Sequence, residues 1–185
     1  MKKNLRNFFL FFLLLSAGVA AASQQALAAD GTYYTKMNIW YEKAEKILST
    51  NYHKGNMISV GSEVRVMKSN AKKIEFVDDK GTKFRIKLVK DYTNLEEQPF
   101  FDRYFSKENI LNGDQYRSFS SMEKENITAG TLREGMSKDA VLVAYGYPPT
   151  HRTPSTEQDS WVYWKSRMGS FTVMFKDGKL VGSYL

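Results

Sequence analysis

The chain has 185 residues, 42% of them hydrophobic and 25% charged, with 27 Lys and Arg against 20 Asp and Glu. This is a globular composition with a basic tilt, and it excludes disordered, collagen-like and coiled-coil chains. The absence of cysteine excludes disulfides, thiolate metal sites, cysteine nucleophiles and a lipid-modified N-terminal Cys.

Lys2, Lys3 and Arg6 precede a continuous apolar run from Phe8 to Leu15 and then a small-residue tract ending in Ala26-Leu27-Ala28. That is the layout of a secretory signal peptide over residues 1–29, with cleavage near Ala28-Ala29. The run is shorter than the ~20 residues a membrane-spanning helix needs. The expected mature protein is therefore periplasmic or secreted and carries no lipid anchor. Its length of about 156 residues can bury close to two-thirds of the unfolded surface, enough for one ordinary core or two small ones.

Between Thr32 and Tyr52 the signals overlap. Tyr33, Thr35, Met37, Ile39 and Tyr41 fit a strand period, whereas Trp40, Ala44, Ile47 and Leu48 fit a helical stripe, so a strand followed by a short helix is expected. From Gly61 onward, three pairs or triplets alternate with polar neighbours: Val64 and Val66, Ile74 and Phe76, and Phe84, Ile86 and Leu88. These predict three half-buried antiparallel strands, and Asp78-Asp79-Lys80-Gly81-Thr82 supplies a hairpin loop. The product over residues 30–95 is a small, strongly bent meander or barrel. It is loosely similar to small bacterial Src-homology-type barrels.

A connector over residues 96–119 contains Phe101, Tyr104 and Phe105 at i, i+3, i+4 spacing, which predicts a short docked helix. No Gly/Ser/Pro-rich joint follows, so the two halves are expected to pack on one another. In residues 120–185, Ser137 stands at an N-cap position and Asp139 falls in the first turn. Val141, Ala144 and Tyr145 form an apolar stripe, and Gly146 with Pro148-Pro149 ends the helix. Trp161 to Trp164, then Phe171, Val173 and Phe175, then Lys179 to Leu185 read as three strands, the last two joined at Asp177-Gly178. The fold class is α+β: a barrel-like antiparallel meander, then a short helix packed on a three-stranded antiparallel sheet.

Nothing in the sequence assembles a catalytic constellation. His53 and His151 stand far apart beside turn-like residues and read as loop histidines. Asp78-Asp79 reads as a hairpin tip, because adjacent strand residues point to opposite faces. Gly-rich phosphate loops, GxSxG elbows and HExxH helices are absent. No catalytic, metal or cofactor residue is nominated, and a glycan-cleaving enzyme would need a carboxylate pair that cannot be named.

The strongest anomaly is charge. Residues 65–90 hold nine basic side chains against Glu75, Asp78 and Asp79. Lys83, Arg85 and Lys87 share the outer face of one strand, with Arg65 on the same face of a neighbour. This stripe either docks on anionic lipid, lipopolysaccharide or an acidic partner, or is a solvated face whose lysines discourage edge pairing. Nucleic acid is an unsuitable partner for an exported protein. A second candidate surface is the helix-end loop with Tyr145, Tyr147, Pro148 and Pro149. A third is Trp164, which either packs on the N-terminal half or forms an exposed patch.

The segments GTLREGMSKDAVLVAYGYPPTH, SWVYW and FTVMFKDGKLVGSYL resemble the BamE family, also called SmpA/OmlA. Gly135, Met136, Ser137, Val141, Gly146, Pro148, Trp161 and Tyr163 match its pattern, over roughly residues 120–185. The resemblance implies a small periplasmic α/β module of the cell envelope that acts by binding, as BamE does as an accessory lipoprotein of outer-membrane barrel assembly. This chain departs from the family in lacking the lipobox Cys and in carrying a large N-terminal half. The expected function is thus non-catalytic binding or scaffolding, with an envelope protein or an anionic lipid as partner. The alternatives are an inhibitor of a periplasmic enzyme, of β-lactamase-inhibitor type, which an exposed Trp164 would favour, and an anionic-lipid or cell-wall docking module.

Overall fold

The structure, a computed structural model, describes residues 31–50, 52–166 and 168–184; the signal peptide expected over residues 1–29 lies outside the described residues. In chain order come β1 (Gly31–Thr35), β2 (Ile39–Tyr41), a 3-10 turn (Ala44–Lys46), β3 (Ile47–Leu48), β4 (Asn56–Ile58), β5 (Glu63–Asn70), β6 (Lys73–Asp78) and β7 (Lys83–Lys87). There follow α1 (Glu97–Tyr104), β8 (Phe105–Ser106), a 3-10 turn (Ile110–Asn112), α2 (Asp114–Ser118), α3 (Ser121–Ala129), α4 (Lys138–Tyr145), β9 (Ser160–Trp164), β10 (Ser170–Lys176) and β11 (Lys179–Tyr184). The fold is α+β.

The predicted meander is present as β5, β6 and β7, paired antiparallel in sequence. It forms the middle of a six-stranded sheet of order β3-β7-β6-β5-β1-β8. Two additions escape sequence periodicity. β3 pairs parallel with β7, and β8, from the connector, pairs with β1. The short helix expected after the first strand is corrected: β2 and β4 make a separate two-stranded ribbon, and only a single 3-10 turn separates β2 from β3. The apolar residues that mimic a helical stripe there serve different partners. Ile47 enters the first core, while Trp40 packs beneath Gly130.

The hairpin loop after β6 closes as its sequence demands. Asp78 Oδ1 accepts the backbone N–H groups of Lys80 at 3.1 Å and Thr82 at 2.7 Å. At Asp177-Gly178 both residues have positive φ, 51° and 73°, the geometry that matches hairpin twist.

Two apolar clusters form the interior. The first unites the inner face of the six-stranded sheet (Val64, Val66, Ile74, Phe76, Phe84, Ile86) with Phe100, Phe101 and Tyr104 of α1. The second packs α3 and α4 on the three-stranded sheet through Ile127, Ala140, Val141, Trp161, Tyr163, Val173 and Phe175. Val60, early in the chain, belongs to this second cluster.

Asn38 joins the halves. It is fully buried, and its Nδ2 donates to the carbonyls of Ile127 at 2.6 Å and Ala144 at 3.0 Å, while its Oδ1 accepts the Val60 N–H at 2.8 Å. One amide thus serves the C-terminal ends of two helices. At their other ends Glu123 accepts from the N–H and hydroxyl of both Ser120 and Ser137, the N-cap residues of α3 and α4. The two helices therefore run side by side in the same direction, with one carboxylate placed at both positive dipole ends.

Candidate functional site

The outer face of the six-stranded sheet is built by register. Arg65 is aligned with Val77 and Val77 with Lys83, while Glu75 lies between β5 Lys68 and β7 Arg85. Lys73 is aligned with Lys87. All four basic residues singled out in the sequence, Arg65, Lys83, Arg85 and Lys87, therefore share one face.

Their electrostatic circumstances differ. Arg85 Nε donates to Glu75 Oε1 at 2.8 Å and its guanidinium lies 3.8 Å from Glu45. Lys73 Nζ donates to the same Glu75 oxygen at 2.8 Å. These bonds, Lys73 first and then Arg85, hold the Glu75 carboxyl below its ordinary range, and Glu75 in turn raises Arg85. Arg65, Lys68, Lys83 and Lys87 have no carboxylate partner among the described residues.

At the centre stands Met67. The β5/β6 register shifts between Val66 and Lys68, so Met67 is the extra residue of a bulge. Two consecutive side chains, Met67 and Lys68, face outward, and Ser69 instead of Lys68 turns inward. Met67 is 49% exposed. Together with Glu45, Arg65, Glu75, Lys83 and Arg85 it lines a groove of about 320 Å³. Sequence reasoning missed Met67 and Glu45, and it counted Lys68 in the basic segment without placing it on this face. The visible signal for the bulge was the break in alternation after Val66.

The second group of nominated residues lies elsewhere, at the seam between the halves. Pro148 is buried, and Tyr147 packs against the first core with the Arg103 guanidinium 4.3 Å from its ring centre. Burial lowers the Arg103 pKa. Tyr145 packs against the second core and stacks on His53 at 3.4 Å between ring centres. The helix-end loop is thus a packing joint between the two clusters.

His53 lies in the loop between β3 and β4, as expected, but its ring turns into the seam between the halves. Its Nε2 lies 2.6 Å from the Tyr145 carbonyl, which can only accept, so Nε2 carries the proton and Nδ1 is a buried acceptor without a hydrogen-bond partner among the described residues. Burial lowers its pKa to about 4, overriding the carbonyls of Tyr145 and Trp164, and the ring is neutral at pH 7. His151 stacks over Trp164 at 6.0 Å and meets Tyr92 at 4.7 Å. Trp164 is half-buried with its Nε1 out of solvent. Its stacking partner belongs to the same C-terminal part, and it is His151 that reaches Tyr92 of the N-terminal half; Trp164 does not form an exposed patch.

No group of three potential metal ligands occurs among the described residues, and no described helix is long and apolar enough to cross a membrane. Comparison of the chain with protein-family models, curated proteins and solved structures finds no match.

Proposed function

We propose that the protein is a non-catalytic binding or scaffolding component of the cell envelope, exported to the periplasm, that holds a protein partner on the outer face of its six-stranded sheet. The observation that carries this reading is the grouping of four cations with no carboxylate partner among the described residues, Arg65, Lys68, Lys83 and Lys87, on the same outer face as the half-exposed Met67. Clustered unpaired charge beside an apolar side chain is the composition of a recognition surface, where charge steers approach and the apolar contact resists departure. The resemblance of residues 120–185 to the BamE family supports a partner in outer-membrane assembly. The enzyme-inhibitor alternative loses its support, because Trp164 is held by His151 instead of standing free.

An affinity pull-down of the mature protein from gently solubilised envelopes tests the proposal, with a Lys83→Glu/Lys87→Glu variant alongside. The expected result is recovery of outer-membrane assembly components that the variant loses. Equal recovery by the variant removes the sheet face from the reading. Recovery of a single soluble enzyme, or of lipid alone, overturns it in favour of an inhibitor or a lipid-docking module.

A further inference from the structure

The groove on the sheet face selects among anionic partners by what else it contains. Its lining combines two unpaired cations, Arg65 and Lys83, an apolar Met67, and two carboxylates, Glu45 and Glu75. Arg65 and Lys83 stand on β5 and β7 with Val77 of β6 between them. Two inter-strand steps separate their backbones by roughly 10 Å. In an extended polypeptide the side chains of residues i, i+2 and i+4 share one face, and the i to i+4 span of roughly 13 Å falls within reach of the long Arg65 and Lys83 side chains.

The carboxylates decide against a continuous anionic layer. The Glu75 charge is spent on Lys73 and Arg85, but the Glu45 side chain is 58% exposed and its one ion pair among the described residues is the 3.8 Å contact with Arg85. A bilayer of anionic head groups or a nucleic-acid backbone laid across the face would press negative charge against Glu45. A ligand with discrete carboxylates and an apolar side chain between them meets Arg65, Lys83 and Met67 and leaves Glu45 facing solvent.

We infer that this groove takes an extended, acidic polypeptide segment of a partner, with two carboxylates about four residues apart on Arg65 and Lys83 and the apolar side chain midway between them on Met67. The inference rests on the proposed use of this face and names the chemistry of its occupant. Lys68 and Lys87, on the same face, add long-range attraction and raise the association rate.

The test uses the mature full chain and a fluorescently labelled synthetic peptide of repeating Glu-Ser-Leu-Ser, which puts Glu and Leu alternately on one face of an extended chain, with a Lys-Ser-Leu-Ser peptide and equimolar phosphatidylglycerol/phosphatidylcholine vesicles as comparators. The expected result is saturable binding of the acidic peptide that weakens about tenfold or more between low and high salt. Arg65→Glu/Lys83→Glu abolishes it, Met67→Ser weakens it about threefold to tenfold, and Lys54→Glu, away from the groove, leaves it unchanged. Circular dichroism and thermal midpoints of the variants separate loss of binding from loss of fold, and these side chains are exposed. Equal binding by the Arg65→Glu/Lys83→Glu variant, no binding of the acidic peptide, or vesicle binding through the same residues overturns the inference. If the pull-down still depends on Lys83 and Lys87 while the peptide does not bind, the sheet face stands as the docking surface and only its assigned occupant falls.

Discussion

Glu123 and His53 show how burial acts on an acid and on a base. Burial alone would raise the Glu123 carboxyl, but the N–H and hydroxyl groups of Ser137 and then Ser120 outweigh it, and the pKa falls from the usual 4.5 to about 2. The unfolded chain then binds more protons than the folded one between these values. The stability contribution is full above about pH 4.5 and is lost as pH falls through about 2, and it amounts to roughly 3 kcal/mol. His53 also has a depressed folded pKa, about 4 against the ordinary 6.5, so its contribution is full above 6.5 and lost as pH falls through about 4. Denaturant midpoints measured across pH are expected to decline in two stages, the first from His53 and the second from Glu123. His53→Phe flattens the upper stage. Glu123→Gln flattens the lower one and costs about 2–4 kcal/mol at neutral pH, because the carboxamide keeps one accepting oxygen for one helix start and turns an NH2 donor on the N–H and hydroxyl of the other. An upper stage that survives in His53→Phe would assign it to another group.

The elements divide by how local their causes are. The α4 helix was legible because Ser137, the Val141-Ala144-Tyr145 stripe and Gly146 all lie within one short window. β6, β7 and the final hairpin were legible for the same reason, through alternation and turn residues. The α3 helix carried a capping box, Ser120 with Glu123, and ends at Gly130 in the left-handed conformation. Its apolar face is short, with Ile127 its one buried hydrophobic residue, so periodicity gave no sign of it. β3 and β8 are two-residue strands whose pairing is set by distant partners, and no local pattern marks them. Of the site, the shared face of Arg65, Lys83, Arg85 and Lys87 follows from strand parity, whereas the ion pairs that neutralise Arg85 depend on register and on a turn some forty residues earlier. Gly130 states the element-scale requirement most sharply. Its φ is 65°, and a Cβ would lie 2.6 Å from both Met57 Sδ and Trp40 Cζ2. Gly130→Ala combines left-handed strain with a clash against the β2/β4 ribbon and is expected to cost about 2–4 kcal/mol, measured by urea denaturation. A cost below about 0.5 kcal/mol would mean that ribbon and helix end shift apart freely.

At the scale of the whole molecule, the question is whether the two clusters melt as one. Their contacts interleave along the chain. Val60, which precedes the meander, packs in the second cluster, and Tyr147, which follows α4, packs against the first. Between them Asn38 ties one half to the ends of both helices, with every polar atom of its side chain engaged. His53 crosses the seam as well, bonded to Tyr145 and edge-on to Tyr163. Such interleaving raises the cost of opening one half alone to that of opening both. The chain is therefore expected to unfold in a single transition, with coincident midpoints by near-ultraviolet signals of its tryptophans and by far-ultraviolet circular dichroism. Asn38→Ala leaves the Val60 N–H and the Ala144 carbonyl without their partner in a dry interior, and a loss of about 3 kcal/mol or more is expected. Because the lost bonds lie between the clusters instead of within either one, the variant should also separate the two probes. Coincident transitions in Asn38→Ala at unchanged stability would show that apolar packing across the seam, and not this amide, makes the molecule one cooperative unit.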